Sequence, residues 1–440
     1  MSLLIEQKAK LGGRYPLASL RSEPLSGMMV MIPVGGEARR LRPLTAESSK
    51  AVVRIFNRPL VEFALIELAR QGIRNFVFGA KGYVNYRSLF DYFREGEGFS
   101  AQNRIWPRAH FKYQPRIEDV GSADSVRILM DYYDVRDLFL VVQGDNLFEL
   151  DLRDMLAFQE RTKAFMVVGL TPVEDVESYG VAETDESGRI RRFVEKPSRE
   201  TAPSRMANSG IYLISPEIRN VFEEPEVRAM IAQNRRLDFG LDLIPYLTQR
   251  GMVYGYYMKG TWLDVGTPRA YLTAVSRVLE DPSKRAAYLG EPLPQLSNVW
   301  IQGGSADSVH RKEVLVRKAL SKRISLDGHV LIGRHCQIDD GSIIRDSCVD
   351  NFCILGREVT IERSAIMDRV VIEDGAVIQD SIVGRHARVE SSLEHPTWVT
   401  GLSVVGDDVG IGKGATLAAA KVSPHRAVTE GTDIQGQSVE

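Results

Sequence analysis

The sequence predicts an α/β domain on a mixed or parallel sheet, followed by a parallel β-helix of hexapeptide repeats. Three observations lead there. At 440 residues the chain exceeds what one ordinary core organises, so two domains are expected. Its first half alternates short apolar runs with an amphipathic stretch, the order of a strand–helix–strand unit. Beyond about residue 320 aliphatic residues recur every six positions, a period that belongs to repeat architectures.

The first element is Met28 to Val34, an apolar run suited to a buried strand. A loop from Gly35 to Thr45 follows, rich in turn formers and arginine. Pro59 is expected to open a helix at its first position. Val61, Ala64, Leu65 and Leu68 line one face of that helix, and Gly72 ends it. Asn75 to Phe78 reads as the next strand. Leu138 to Val142 is another buried strand, running directly into Gln143, Gly144 and Asp145. Open α/β sheets bind ligands beyond the carboxyl ends of their strands, so the Gly35 loop and Asp145 are expected on one edge.

The second half is periodic. Ile332, Ile338 and Ile344 are six apart, as are Ile366, Ile372 and Ile378, then Val405, Ile411 and Leu417. Gly333, Gly406 and Gly412 directly follow aliphatic residues. Each repeat buries one aliphatic inward, and only stacking completes the core. The register slips near Leu355–Ile361 and Ser391–Val399, where loops are expected to leave the coil. The expected organisation is an N-terminal extension over 1–27, an α/β domain over 28–280 and a linker over 281–321. The β-helix then covers 322–425, with a C-terminal tail over 426–440.

Composition narrows the function. Apolar residues make up 44% and charged ones 26%, as in a globular protein. The 56 basic and 58 acidic residues nearly cancel, so no global field favours nucleic acid or a membrane surface. Any anionic ligand must meet locally placed cations. Three cysteines without a close pair fit neither a disulfide framework nor a zinc site, and a reduced cytoplasm suits them. No apolar run is long enough for a signal peptide or a membrane span.

Backbone amides of glycine loops and fixed cations bind phosphates. Gly35, Gly36, Arg39, Arg40, Arg42 and Lys50 supply both, although a tight turn with solvated arginines is an equal reading of spacing alone. Asp145 and Asp264 are oxygen donors of the kind magnesium accepts beside substrate phosphates; two unrelated turn caps are the plainer alternative.

These residues resemble the sugar-phosphate nucleotidylyltransferases, or NDP-sugar pyrophosphorylases, that carry a C-terminal left-handed β-helix behind a Rossmann-like domain. The family pattern G-G-x-G-x-R-L-x-P-L-T with a later P-K pair stands here as Gly35 to Thr45, then Ser49-Lys50. Gln114-Pro115 leading to Gly121, Gly144-Asp145, Tyr179-Gly180-Val181 and Glu195-Lys196-Pro197 follow in family order. Asn208 to Tyr212 and Trp262 to Thr267 complete the series. Asp238 to Pro245 is similar to the ADP-glucose branch. The resemblance implies a magnesium-dependent transfer of a nucleotide from a nucleoside triphosphate to a sugar 1-phosphate, releasing pyrophosphate. It assigns Arg40, Lys50 and Asp145 to catalysis, and Asp145 with Asp264 to the metal. Gly35 and Gly36 would cradle the nucleotide, Gln114 read the base, and Gly121 admit a close backbone approach. Lys196 would bind the sugar's phosphate, with Glu195, Asn208, Tyr179 and Gly180 beside the sugar. A homo-oligomer joined through the β-helix is expected.

The sequence departs from the pattern at Ala38, Arg39 and Ser49. If Ala38 stands where positive φ is needed, it costs on the order of 1 kcal/mol. That departure motivates a second reading, a regulatory subunit that binds nucleotide sugar. A third is a bifunctional chain whose β-helix transfers an acyl group. His329, His335 and His386 lie in the repeats but in no acyltransferase motif, so solvated coil positions are the simpler account.

Overall fold

The structure is a computed structural model that describes residues 25–36, 38–116, 121–234, 236–290 and 292–440. Most of the expected N-terminal extension, 1–24, therefore lies outside the described residues.

The first domain is a mixed nine-stranded sheet. Met29–Val34 lies between Phe139–Val142 and Asn75–Lys81, parallel to both, and His110–Arg116 extends the sheet in parallel beyond Asn75–Lys81. Met206–Ile214 runs antiparallel against Phe139–Val142 and carries the remaining strands. The central strands are apolar at nearly every position because both faces are covered. Val30, Ile32, Phe76 and Phe78 pack under the helix Leu60–Arg70. Met31, Val77, Phe139 and Val141 pack under the helix Ser122–Tyr132 on the other face.

The expected stripe of Val61, Ala64, Leu65 and Leu68 is buried, and so is most of the helix around it. Leu60 and Phe63 on its flank meet a further cluster shared with the second domain. Even Glu62 is buried, held by Arg58 Nη1 at 2.6 Å and Tyr92 OH at 2.8 Å. Pro59 sits one residue before the helix and closes a short hairpin, Arg54–Ile55 with Arg58–Pro59. It caps the helix instead of occupying its first turn.

The second half is a parallel β-helix. Its strands form three parallel sheets of eight, seven and six strands, one on each side of the coil. The expected strict six-residue period is corrected. Inward aliphatics run Ile332, Ile338, Ile344, Val349, Leu355, Ile361, Ile366, all buried, and the steps are six, six and five. Strands accordingly pair with the residue 17 further on, as in Leu331 with Cys348 and Ile354 with Val371. The short step turns a tight corner where Ser347, Ser364 and Ser381 are buried. The Ser347 and Ser364 hydroxyls each accept the backbone N–H of the serine one coil later, at 3.0 and 3.1 Å. No loop leaves the coil at Leu355–Ile361, itself a six-residue step; the register slips at the five-residue steps Ile344–Val349 and Ile361–Ile366 on either side. The slip at Ser391–Val399 is a real insertion, since Ile382 pairs with Val404, 22 residues on.

Two boundaries also differ from expectation. The segment 281–321 is no bare linker: Val299–Ile301 pairs in parallel with Val330–Ile332 and so starts the coil, and Ala306–Leu320 is a capped helix. Its pattern was hidden by the prolines and glycines around it. The residues expected as a tail continue the coil through Ala427–Val428, Asp433–Gln435 and Ser438–Val439.

Candidate active site

The carboxyl ends of the central strands open onto a two-lobed cavity. The first lobe encloses about 440 Å³ and is lined by Gly35, Gly36, Ala38, Arg39, Arg40, Lys50, Gly121 and Asp145. The second encloses about 300 Å³ and is lined by Tyr179, Gly180, Glu195, Lys196, Asn208, Trp262 and Asp264. Arg40, Lys50 and Asp145 line both lobes. Of the residues expected at a site, Gln114 and Arg42 line neither; Gln114 sits in the strand His110–Arg116 opposite Gly79.

At the junction Lys50 Nζ lies 2.6 Å from Asp145 Oδ2 and 3.1 Å from Asp264 Oδ1. Local structure explains how the three meet. Asp145 follows the buried strand Phe139–Val142. Asp264 ends the strand Trp262–Asp264, which pairs antiparallel with Asn146–Phe148 and sets Asp264 opposite Asn146. Ser49 caps the short 3₁₀ turn Lys50–Val52, its hydroxyl accepting Ala51 N–H at 3.3 Å. Its φ of −62° is one a proline would also adopt, so the serine keeps the backbone course and adds a cap.

The electrostatics follow from burial. Only 13% of the Asp264 side chain is exposed. Burial pushes its carboxyl above the ordinary value; Lys50 opposes this and the Asp145 charge adds to it. For Lys50 burial acts to lower the ammonium's pKa, but the two carboxylates outweigh it and hold it above normal. Burial and the nearby Asp264 charge push Tyr179 up to about 12. Glu195 is raised by burial, against the pull of Lys196.

The departures from the family pattern now have geometry. Ala38 has φ 42° and ψ 41°, the left-handed region, so a non-glycine residue carries strain there. Its carbonyl accepts Thr45 Oγ1 at 3.0 Å and Leu41 N–H at 3.0 Å, which holds the loop in that shape. Arg40 is the arginine at the acidic pair. A Cβ on Gly266 would come 3.1 Å from Arg40 Nη2 and 2.9 Å from Asp264 Oδ2, so only glycine leaves that gap open. Arg39 lines the first lobe alone. The close approach at Gly121 (φ 85°) is made by the chain itself: a Cβ there would lie 2.5 Å from the Leu237 carbonyl oxygen.

Sequence reasoning missed Gln143, Ser122, Asp238 and Trp262 as lining residues. Gln143 directly precedes Gly144-Asp145, and Trp262 opens the strand of Asp264, so both lay within the fragments noted. Ser122 gave no local signal; its backbone N–H donates to Asp238 Oδ1 at 3.1 Å, across the fold. Trp262 Nε1 donates to the Ser209 carbonyl at 2.9 Å and packs edge-on to Tyr179 at 5.3 Å.

No group of three or more His, Cys, Asp or Glu gathers around a metal position among the described residues. Two carboxylates within reach of one amine remain a fit for magnesium, which takes few protein ligands and completes its shell with water and phosphate.

A mixed sheet with a two-lobed cavity, glycines, fixed cations and a carboxylate pair at its carboxyl edge defines a nucleotide-handling enzyme. The nucleotidyl transferase family model matches residues 29–281, more than half of the chain, and the chain belongs to that family. The model described as the GMPPB C-terminal domain matches residues 323–438. Among curated relatives, the UTP–glucose-1-phosphate uridylyltransferase of Synechocystis sp. is 28% identical over 355 residues, 78% of this chain and 83% of that protein. The mannose-1-phosphate guanylyltransferase catalytic subunit beta of Danio rerio is 25% identical over 407 residues, 92% of this chain and 98% of its own. The mannose-1-phosphate guanyltransferase of Aspergillus oryzae is 26% identical over 413 residues, 92% and 99% of the two chains.

Proposed function

We propose that the chain joins a nucleoside triphosphate to a sugar 1-phosphate, giving an NDP-sugar and pyrophosphate. The observation that carries this reading is the Lys50 amine between the Asp145 and Asp264 carboxylates, where the two lobes meet. The nucleotide belongs in the lobe under Gly35 and Gly36, the sugar phosphate in the lobe lined by Tyr179, Glu195, Lys196 and Asn208.

Both reactants are anions, and the attacking phosphate oxygen is already ionised, so no general base is required. Catalysis reduces to holding the reactants in line and offsetting their charge. Two unit charges about 4 Å apart repel by roughly 1 kcal/mol in water and about 4 kcal/mol at an effective dielectric near 20. Arg40 and Lys50 offset that repulsion on the nucleotide side and Lys196 on the sugar side. Magnesium, held by Asp145 and Asp264, would supply further charge neutralisation at the reacting phosphate. Lys50 would then turn from the carboxylates to the phosphates. Gln114, outside the lining, would reach the base only indirectly through its strand.

We further propose a homo-oligomer joined through the β-helix, whose terminal strands leave open edges. Light scattering at micromolar concentration tests this, and a single monomeric species would overturn it. The three cysteines are free and buried, which suits a reducing compartment such as the cytoplasm. Among the described residues no helix is long and apolar enough to cross a membrane.

The test is pyrophosphate release with magnesium across nucleoside triphosphates and sugar 1-phosphates. GTP with mannose 1-phosphate and UTP with glucose 1-phosphate come first, because the relatives act on those sugars. Release confined to one pair and abolished in Asp145→Ala is expected. No release with any pair, despite nucleotide-sugar binding by calorimetry, would replace the reading with a regulatory subunit.

A further inference from the structure

Between the glycine loop and the first helix, residues 47–57 form a strap that touches both halves of the molecule. On one side Lys50 reaches Asp145 and Asp264. On the other, the strap lies along one corner of the β-helix. Three residues before Lys50, Glu47 Oε1 lies 3.0 Å from His425 Nε2. Four residues after it, Arg54 Nη1 donates to Asp368 Oδ2 at 2.7 Å. Asn57 Oδ1 accepts the Asn351 backbone N–H at 3.0 Å, and Asn57 Nδ2 donates to Gln302 Oε1 at 2.8 Å. Asn351 and Asp368 occupy the same corner position 17 residues apart, and Asp368 Oδ1 also accepts the Asn351 N–H at 3.1 Å.

The hairpin tip is held in an uncommon shape. Phe56 and Asn57 both have positive φ, 55° and 64°. For a bulky residue such as Phe56 that is costly and persists only where surroundings enforce it. Here Phe56 is 1% exposed and packs in the cluster that joins Leu41, Ile55 and Tyr271 to Cys348, Met367 and Ile382 of the coil. Tyr271 OH donates to the Arg54 carbonyl at 2.5 Å, from the helix Pro268–Glu280 that follows Asp264. The backbone on both sides of Lys50 is therefore fixed by contacts outside the first domain's own sheet.

We infer that Asp368, Arg54 and Asn57 are positioning residues for Lys50, and that the β-helix acts as the template holding this strap in its working geometry. The inference rests on the role given to Lys50 above. The two tethers differ in weight. Glu47 and His425 are each more than half exposed, and such pairs contribute little. Arg54 and Asp368 are 28% and 16% exposed, and Asp368 also anchors the coil backbone, so the second tether dominates.

Steady-state turnover of the full chain with its preferred substrate pair tests the assignment. Arg54→Ala and Asp368→Ala should each lower kcat by about tenfold or more while the nucleotide KM moves less than about twofold, as for a displaced catalytic group. Arg54→Lys, which keeps the charge, should recover most of the loss. In a Lys50→Ala background Asp368→Ala should add less than about a twofold loss, because the group it positions is gone. A second measurement reads Lys50 without turnover: limited acylation of amines followed by mass spectrometry. Lys50 should label several-fold faster in Arg54→Ala and Asp368→Ala, with exposed Lys112 unchanged as the reference. Asp368→Asn retains the acceptor for Asn351 N–H and serves if the alanine variant does not fold. Unchanged Lys50 labelling, or a full tenfold loss repeated in the Lys50→Ala background, overturns the inference. A wild-type chain that releases no pyrophosphate overturns the catalytic reading instead, and the labelling result still decides the strap.

Discussion

The loop that carries Ala38 and Lys50 and the coil that begins at Val299 solve the folding problem in opposite ways. In the coil most strands have their partner 17 or 18 residues further on, apart from the pairs that span the helix Ala306–Leu320 or the insertion near Ser391–Val399. Each turn repeats the last, and inward aliphatics stack on their own kind, so stability accumulates from nearest neighbours. In the loop nothing repeats. Ala38 stands in the left-handed region, two carboxylates face each other across one amine, and those carboxylates come from 95 and 214 residues along the chain. The coil spends its sequence on packing, whereas the loop gives up stability for a charge arrangement that only a ligand completes.

The largest effect expected from breaking that contrast is catalytic. Asp264→Asn keeps the side chain's shape and should cut pyrophosphate release by about 10³-fold or more, since charge placement is the main source of rate here. The same change should leave thermal stability unchanged or higher, because it removes a buried charge that its site disfavours. A drop in Tm alongside retained turnover would reverse the contrast.

In the coil the order of effects inverts. Ile361 is fully buried within the stack, so Ile361→Ala should cost about 2–5 kcal/mol in denaturant unfolding. The preferred substrate pair should keep its kcat in the surviving folded fraction.

A third test sits between the two regions. Asp350, in the coil, is buried beside Asp368, and burial first and that charge second push its pKa to about 7. A carboxyl with a raised folded-state pKa favours folding in its protonated form. Its contribution is fully present below the ordinary carboxylate range and is lost as pH rises to about 7. Asp350→Asn should therefore raise Tm more at pH 8 than at pH 5. Equal shifts at both pH values would show that Asp350 is charged throughout.

Ala38→Gly should give the smallest change. Relief of the positive φ contributes about 1 kcal/mol, partly offset by the looser unfolded chain of glycine. A small rise in Tm with turnover changed by less than about threefold is expected, and a large gain in turnover would mean that the alanine displaces the phosphates.

How much was legible in advance divides along the same line. The strand from Met29, the helix stripe from Val61 and the aliphatic period of the coil were plain because each is a local pattern with its own repeat. The five-residue side reads in the sequence as a departing loop, since a buried serine corner looks polar although its hydroxyl bonds the next coil. The helix Ala306–Leu320 and the final coils were obscured by flanking turn residues.

By itself, the sequence determined the order of the elements, the α/β-then-coil architecture and a set of site residues that, Gln114 and Arg42 apart, line one cavity. Tertiary structure alone decided which arginine meets the acidic pair, that Ser122 and Asp238 join the lining, and that the coil grips the strap around Lys50. The physical reason is range. Periodicity, glycine and apolar runs act over a few residues and leave a mark in the chain, whereas a site is made where distant segments converge. Lys50, Asp145 and Asp264 acquire their shared charge balance only when the strand pairing and the docked hairpin bring them within 3.1 Å.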